Sequence, residues 1–66
     1  MEALDNIKIQ ELRIKLGMSQ SDLAKAAGVS LQTIHRIESG KTKNPDHETI
    51  VAIAKALLVD VEQIDY

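Results

Sequence analysis

The 66-residue chain has no cysteine, phenylalanine or tryptophan, one tyrosine (Tyr66) and one proline (Pro45). Without cysteine, disulfides, thiolate zinc sites and thiol nucleophiles are excluded together, which fits a reducing compartment. With Tyr66 as the sole aromatic, stacking of unpaired bases is not expected as a way of holding RNA, and the core falls to Ile, Leu, Val and Ala. No apolar run reaches the roughly 18 residues of a membrane-crossing helix. The opening MEALDNIKIQ lacks the basic-then-apolar order of a secretory signal, so the expected location is the cytoplasm. A chain of this size forms one domain, residues 1–66, and buries only about 60% of the surface it exposes when unfolded. That leaves little room for a cleft. No nucleophile with an acid–base partner is evident, so neither an enzyme nor a cofactor or small-molecule site is expected.

The net charge is small, and charge is segregated along the chain. The net charge is −2, from eight basic and ten acidic residues. Residues 1–30 are balanced. Residues 31–45 carry Arg36, Lys41 and Lys43 against Glu38, whereas 46–66 carry five acids against Lys55. Local sign matters more than the total for a contact with phosphate. The acidic segment reads as a solvated face turned away from such a contact.

Apolar spacing is helical throughout and predicts an all-α fold of five short helices. The first is expected to start at Asp5 as N-cap, with Ile9, Leu12 and Leu16 on its buried stripe and Gly17 ending it. Ser19 caps the second, with Asp22 three residues on as a capping box; Leu23, Ala24 and Ala27 face inward and Gly28 closes it. Ser30 caps the third, whose inward stripe is Ile34 and Ile37, and Gly40 stops it. After the polar loop from Lys41 to Pro45, Asp46 caps a fourth helix that buries Ile50, Ile53, Ala54 and Leu57, with Glu48 in its first turn suiting the helix dipole. A fifth is expected from Asp60, with Val61 and Ile64; these two and Tyr66 either complete the core or form a contact between two copies.

The second and third helices are joined by a minimal turn. It demands positive φ, which Gly28 supplies, and close backbone approach, which Ala24 allows. The third helix is left with Leu31, Gln32, Thr33, His35 and Arg36 outside, and its amide, hydroxyl and guanidinium suit the edges of base pairs in a major groove. His35 and Glu38 lie one turn apart, but bundle metal sites use two such motifs with further carboxylates, so no metal site is expected. His47 reads as surface.

Leu12-Arg13, Gly17, Gln20, Leu23-Ala24, Gly28-Val29, Ile34, Ile37-Glu38, Gly40-Lys41, Pro45, Ile53-Ala54 and Leu57 appear in this order and register. In these features the chain resembles the helix-turn-helix domains of lambdoid phage repressors and Cro proteins, the XRE-type regulators. The resemblance implies a lambda-repressor-like fold with the motif at residues 20–39, and a cytoplasmic, prokaryotic or phage regulator that binds double-stranded DNA. It also implies a homodimer on a pseudo-palindromic operator, and repression as the role. It implies base contacts from Leu31, Gln32, Thr33 and Arg36, and phosphate contacts from Gln20, Lys41, Thr42, Lys43 and Asn44; Ser30, as cap of the third helix, and the outward His35 are read as further phosphate contacts. Arg13 and Glu38 match an internal ion pair. Two positions depart from the family pattern. Leu58 stands where a glycine usually follows the fourth helix, and Leu31 opens the third helix with a side chain that cannot hydrogen-bond a base; it either meets a thymine methyl or shields neighbouring contacts. The net negative charge supports a rival reading, a protein-interaction or antitoxin-like module that keeps the fold without the DNA contacts.

Overall fold

The computed structural model describes residues 7–42 and 45–65, and four helices account for more than half of these. They are α1 (Ile9–Lys15), α2 (Gln20–Ala27), α3 (Leu31–Glu38) and α4 (His47–Ala56). A single 3₁₀ turn, Val61–Gln63, follows α4. Among the described residues, the strands are a two-residue parallel pairing of β1 (Ile7–Lys8) with β2 (Ile64–Asp65), in register Ile7 to Ile64.

Ser19 and Ser30 do what their positions demand. The Ser19 hydroxyl accepts from the Asp22 N–H at 3.0 Å, and the Asp22 carboxylate accepts from the Ser19 N–H at 3.0 Å. This satisfies two of the donors that a helix start leaves open. Ser30 Oγ likewise accepts from the Thr33 N–H at 3.1 Å.

Three expectations about helix starts and number are corrected. Asp5 lies outside the described residues, but α1 begins at Ile9 with Lys8 in the cap position, because residues 7 and 8 are extended in the pairing with β2. Asp46 occupies the position before α4 yet makes no capping hydrogen bond with its side chain. The fifth helix is only the 3₁₀ turn, since Ile64 must return to extended backbone (φ −91°, ψ 130°) to meet Ile7.

All four helices end in one way. An N–H just past the helix end donates to a carbonyl five residues back: Met18 to Arg13, Val29 to Ala24, Lys41 to Arg36 and Val59 to Ala54, each at 3.0 Å. This closure needs a left-handed residue just before the donor. At Gly28, φ is 73°, and a Cβ there would meet no atom within 4 Å, so conformation rather than space selects glycine. The same ending explains why Leu16, expected on the buried stripe, is 46% exposed: the chain leaves the helix there.

The fourth closure uses Leu58, at φ 62° and 83% exposed. Left-handed backbone costs an L-residue about 1–2 kcal/mol, while glycine returns about 0.4–1 kcal/mol through unfolded-state entropy. Leu58→Gly therefore stabilises by somewhat under 1 kcal/mol and raises Tm by roughly 3–6 °C, at about 4–8 °C per kcal/mol for a domain of this size. Leu58→Ala keeps the strained backbone and should leave Tm unchanged in the same thermal scan.

The core joins all these elements. Ile9 and Leu12 of α1, Leu23 and Ala24 of α2, Ile34 and Ile37 of α3 and Ile50, Ile53 and Ala54 of α4 are buried, together with Leu57 and Ile64. α2 packs against both α3 and α4. Ala27, Val29 and Val61 are half-buried against the same cluster. Ile64 thus completes the core, and Tyr66 lies outside the described residues.

Candidate nucleic-acid interface

α2 and α3 are eight residues each, separated by Gly28, Val29 and Ser30. The left-handed Gly28 and the bond from the Val29 N–H to the Ala24 carbonyl fix the turn, and Ala24 is buried beneath it. With Ile34 and Ile37 turned into the core, α3 shows its other side: Leu31, Gln32, His35 and Arg36 are exposed and Thr33 is half-buried.

The chain after α3 is tied back to this face at the Arg36 carbonyl. The Arg36 carbonyl accepts from the Lys41 N–H (3.0 Å), the Thr42 N–H (3.3 Å) and the Ser39 hydroxyl (3.2 Å). Lys41 and Thr42 are thereby held beside the helix, and with Gln32, His35 and Arg36 they line an open depression of about 430 Å³. Arg36 also borders a second depression with Thr33, Thr42 and Pro45. The structure thus gathers Gln32, Thr33, His35, Arg36, Lys41 and Thr42 into one surface. Lys43 and Asn44, also expected there, lie outside the described residues.

Ser30 and Thr33 have a more local arrangement. Their hydroxyls meet at 2.8 Å, so both side chains are directed at each other across the first turn of α3.

Behind the face lies an ionic network. Arg13 Nε donates to Glu38 Oε2 at 2.7 Å and its Nη2 donates to Oε1 at 3.0 Å, a two-pronged pair that matches the planar geometries of the two groups. Arg13 Nη1 donates to the Met18 carbonyl at 2.8 Å. The side chains of Arg13 and Glu38 are only 10% and 4% exposed. Burial pushes the Glu38 carboxyl up, but the hydrogen bonds from Arg13 and Gln20 and the Arg13 charge outweigh it and hold the group below its usual range. The hydrogen bond to Glu38 raises the Arg13 guanidinium in turn. Because Glu38 is matched by Arg13, it does not offset the basic residues of the α3 face.

Gln20 shows a contact that the sequence did not signal: its Nε2 donates to Glu38 Oε1 at 2.9 Å. The amide has a second hydrogen, and Gln20 opens α2, so a role toward phosphate is compatible with this bond. An amide and a carboxylate 18 positions apart carry no local signature of pairing.

A family model for the helix-turn-helix matches residues 9–64. The chain belongs to the Cro and C1 type of helix-turn-helix family. Two proteins of Archaeoglobus fulgidus, both named uncharacterized HTH-type transcriptional regulators, are each 39% identical to it over 57 residues. The matches take in 86% of this chain and 80% and 79% of those proteins. A Coxiella burnetii protein with the same name is 30% identical over 56 residues, 85% of this helix-turn-helix chain but only 26% of that protein. The chain thus spans about a quarter of the length of the Coxiella relative. Among the described residues of this helix-turn-helix domain, no helix is long and apolar enough to cross a membrane, and no three His, Asp or Glu side chains gather as a metal site.

Proposed function

We propose that this domain reads the sequence of double-stranded DNA as a transcriptional regulator, laying α3 in the major groove. The observation that carries the reading is the exposed face of α3, with Gln32 and Arg36 beside the Lys41–Thr42 backbone hung on the Arg36 carbonyl. Gln32 is built to bond adenine at two points, and Arg36 guanine. Lys41 and Thr42, with Gln20, Ser30 and His35 and the adjoining Lys43 and Asn44, supply phosphate contacts that set the register of the helix. The relatives' names, transcriptional regulators, support this class of activity. The full reading is a cytoplasmic repressor acting as a homodimer on a pseudo-palindromic operator, with half-sites about 34–36 Å apart.

Selection of binding sites from a randomised duplex pool tests it. The expected result is an enriched two-fold motif. Arg36→Ala and Gln32→Ala, made singly, each relax the sequence at one position and weaken binding by about 1–3 kcal/mol, measured by titration on the selected duplex at fixed salt. A single half-site would retain DNA reading and remove the dimer. No enrichment at low salt would sink the reading and favour the protein-interaction module that the net charge of −2 suits.

A further inference from the structure

The most exposed apolar side chain on the α3 face stands at its start. Leu31 is the first residue of the helix and 49% exposed, although the core lies one turn away and receives Ile34 and Ile37 completely. Its polar neighbours are engaged locally. The Ser30 hydroxyl accepts from the Thr33 N–H and meets the Thr33 hydroxyl at 2.8 Å, so the hydroxyls on either side of Leu31 are turned toward the helix start. At this end of α3 the side chains outside these local bonds are one amide, Gln32, and one branched hydrocarbon, Leu31.

A base pair offers a hydrocarbon only one partner in the major groove. The edges otherwise present donors, acceptors and ring C–H groups, and the one methyl among them is the C5 methyl of thymine. A leucine set against a donor or acceptor would strip water from it without replacing the bond, which is unfavourable. Set against the methyl, it buries apolar surface on both sides. The neighbouring Gln32 suits adenine, so the pair of side chains is matched to A·T-containing steps. Cytosine carries a hydrogen at the same ring position, and 5-methylcytosine carries the same methyl there.

We infer that Leu31 is a specificity-determining residue that reads the pyrimidine C5 methyl group, so that DNA binding by this domain responds to 5-methylation of cytosine at the position facing Leu31. The inference rests on the DNA-reading function proposed above. It differs from that function in what it predicts for a change of a single methyl group, with every hydrogen-bonding atom of the DNA left in place.

The probe is a duplex recovered by site selection, remade with deoxyuridine in place of each thymidine in turn, and with 5-methyldeoxycytidine in place of deoxycytidine at the same positions. Deoxyuridine removes the methyl and nothing else. At one position per half-site its introduction is expected to weaken binding about fourfold, the factor that corresponds to about 0.8 kcal/mol for one buried methylene-sized group. Cytosine substituted there should bind about fourfold more tightly when methylated. In Leu31→Ala, confirmed as folded by circular dichroism, both ratios should fall to near one, while the variant still distinguishes the Gln32 and Arg36 positions. The wild-type series stands by itself should that variant fail to fold. Indifference to every methyl in a duplex that still depends on Arg36 overturns the role of Leu31 and leaves sequence reading intact. A methyl effect that persists unchanged in Leu31→Ala overturns it as well. If the pool yields no motif at all, both this inference and the proposed function fall.

Discussion

Arg13→Ala is expected to destabilise the domain by about 3–5 kcal/mol, the loss that follows when one member of a buried ion pair is removed and the other is left. Arg13 holds both carboxylate oxygens of Glu38, at 2.7 and 3.0 Å, and also the Met18 carbonyl at 2.8 Å. With the Glu38 side chain only 4% exposed, its charge would be left with the Gln20 amide as a partner and little access to water. A domain of this length has a total stability of about 3–10 kcal/mol, so the variant should lie close to its unfolding threshold. Urea titration followed by far-UV circular dichroism measures this directly. A loss below about 1 kcal/mol, the size of an exposed pair, would mean that the pair is solvated in solution.

The same network sets an acid limit. The Glu38 carboxyl is held below its usual range in the folded chain, so its contribution is present above the unfolded pKa of about 4.3 and is lost as pH falls through the folded value. Asp22 shifts in the same direction, held low by the Ser19 N–H, but it is exposed. The paired variant Arg13→Met/Glu38→Leu separates the two. Replacing both ions by hydrocarbon of similar volume is often close to neutral, so this variant should recover most of the stability that Arg13→Ala loses. It should also lose less stability than the wild type between pH 5 and 3, because only Asp22 of the two remains to titrate. An identical acid slope in both proteins would assign the dependence to surface carboxylates.

Much of this architecture is local chemistry, and that part was legible. Ser19, Asp22, Ser30 and Gly28 act within a few residues of where they stand, so the boundaries of α2 and α3 and the turn between them follow from sequence alone. The gathering of Gln32, Arg36 and Lys41 follows too, because helical spacing puts the first two on one side and Gly40 returns the chain beside them. What could not be read depends on distant partners. Lys8 rather than Asp5 precedes α1 because Ile7 pairs with Ile64, 57 positions away. The same pairing reduces the expected fifth helix to one turn, although Asp60 and Gln63 still make the local bond from the Asp60 N–H to the Gln63 amide oxygen at 3.1 Å. Leu16 kept the right period but fell one residue past the end of the helix that would have buried it. Gln20 was matched to a phosphate by family resemblance, and its bond to Glu38 became visible only once α2 and α3 were packed.

Leu23→Ala is the other substitution expected to have a large effect, about 2–5 kcal/mol. Leu23 is fully buried, with 0% exposure, on the helix that packs against both α3 and α4. Truncation removes the transfer free energy of the lost carbons and leaves a cavity in the shared core that the packed helices around it close only in part. At about 4–8 °C per kcal/mol, Tm should fall by roughly 8–40 °C in a thermal scan. Ile14→Ala provides the contrast. Ile14 is a large hydrophobic at 60% exposure on α1, and a surface change of this kind stays within about 0.5 kcal/mol. If both variants melted together, burial in this packing would not be what holds the domain. If only Leu23→Ala falls, α2 is the element on which α3 is seated. Its loss of DNA binding should then follow the fraction unfolded and be restored by cooling the sample below the new midpoint, whereas the loss in Arg36→Ala should persist in a fully folded protein.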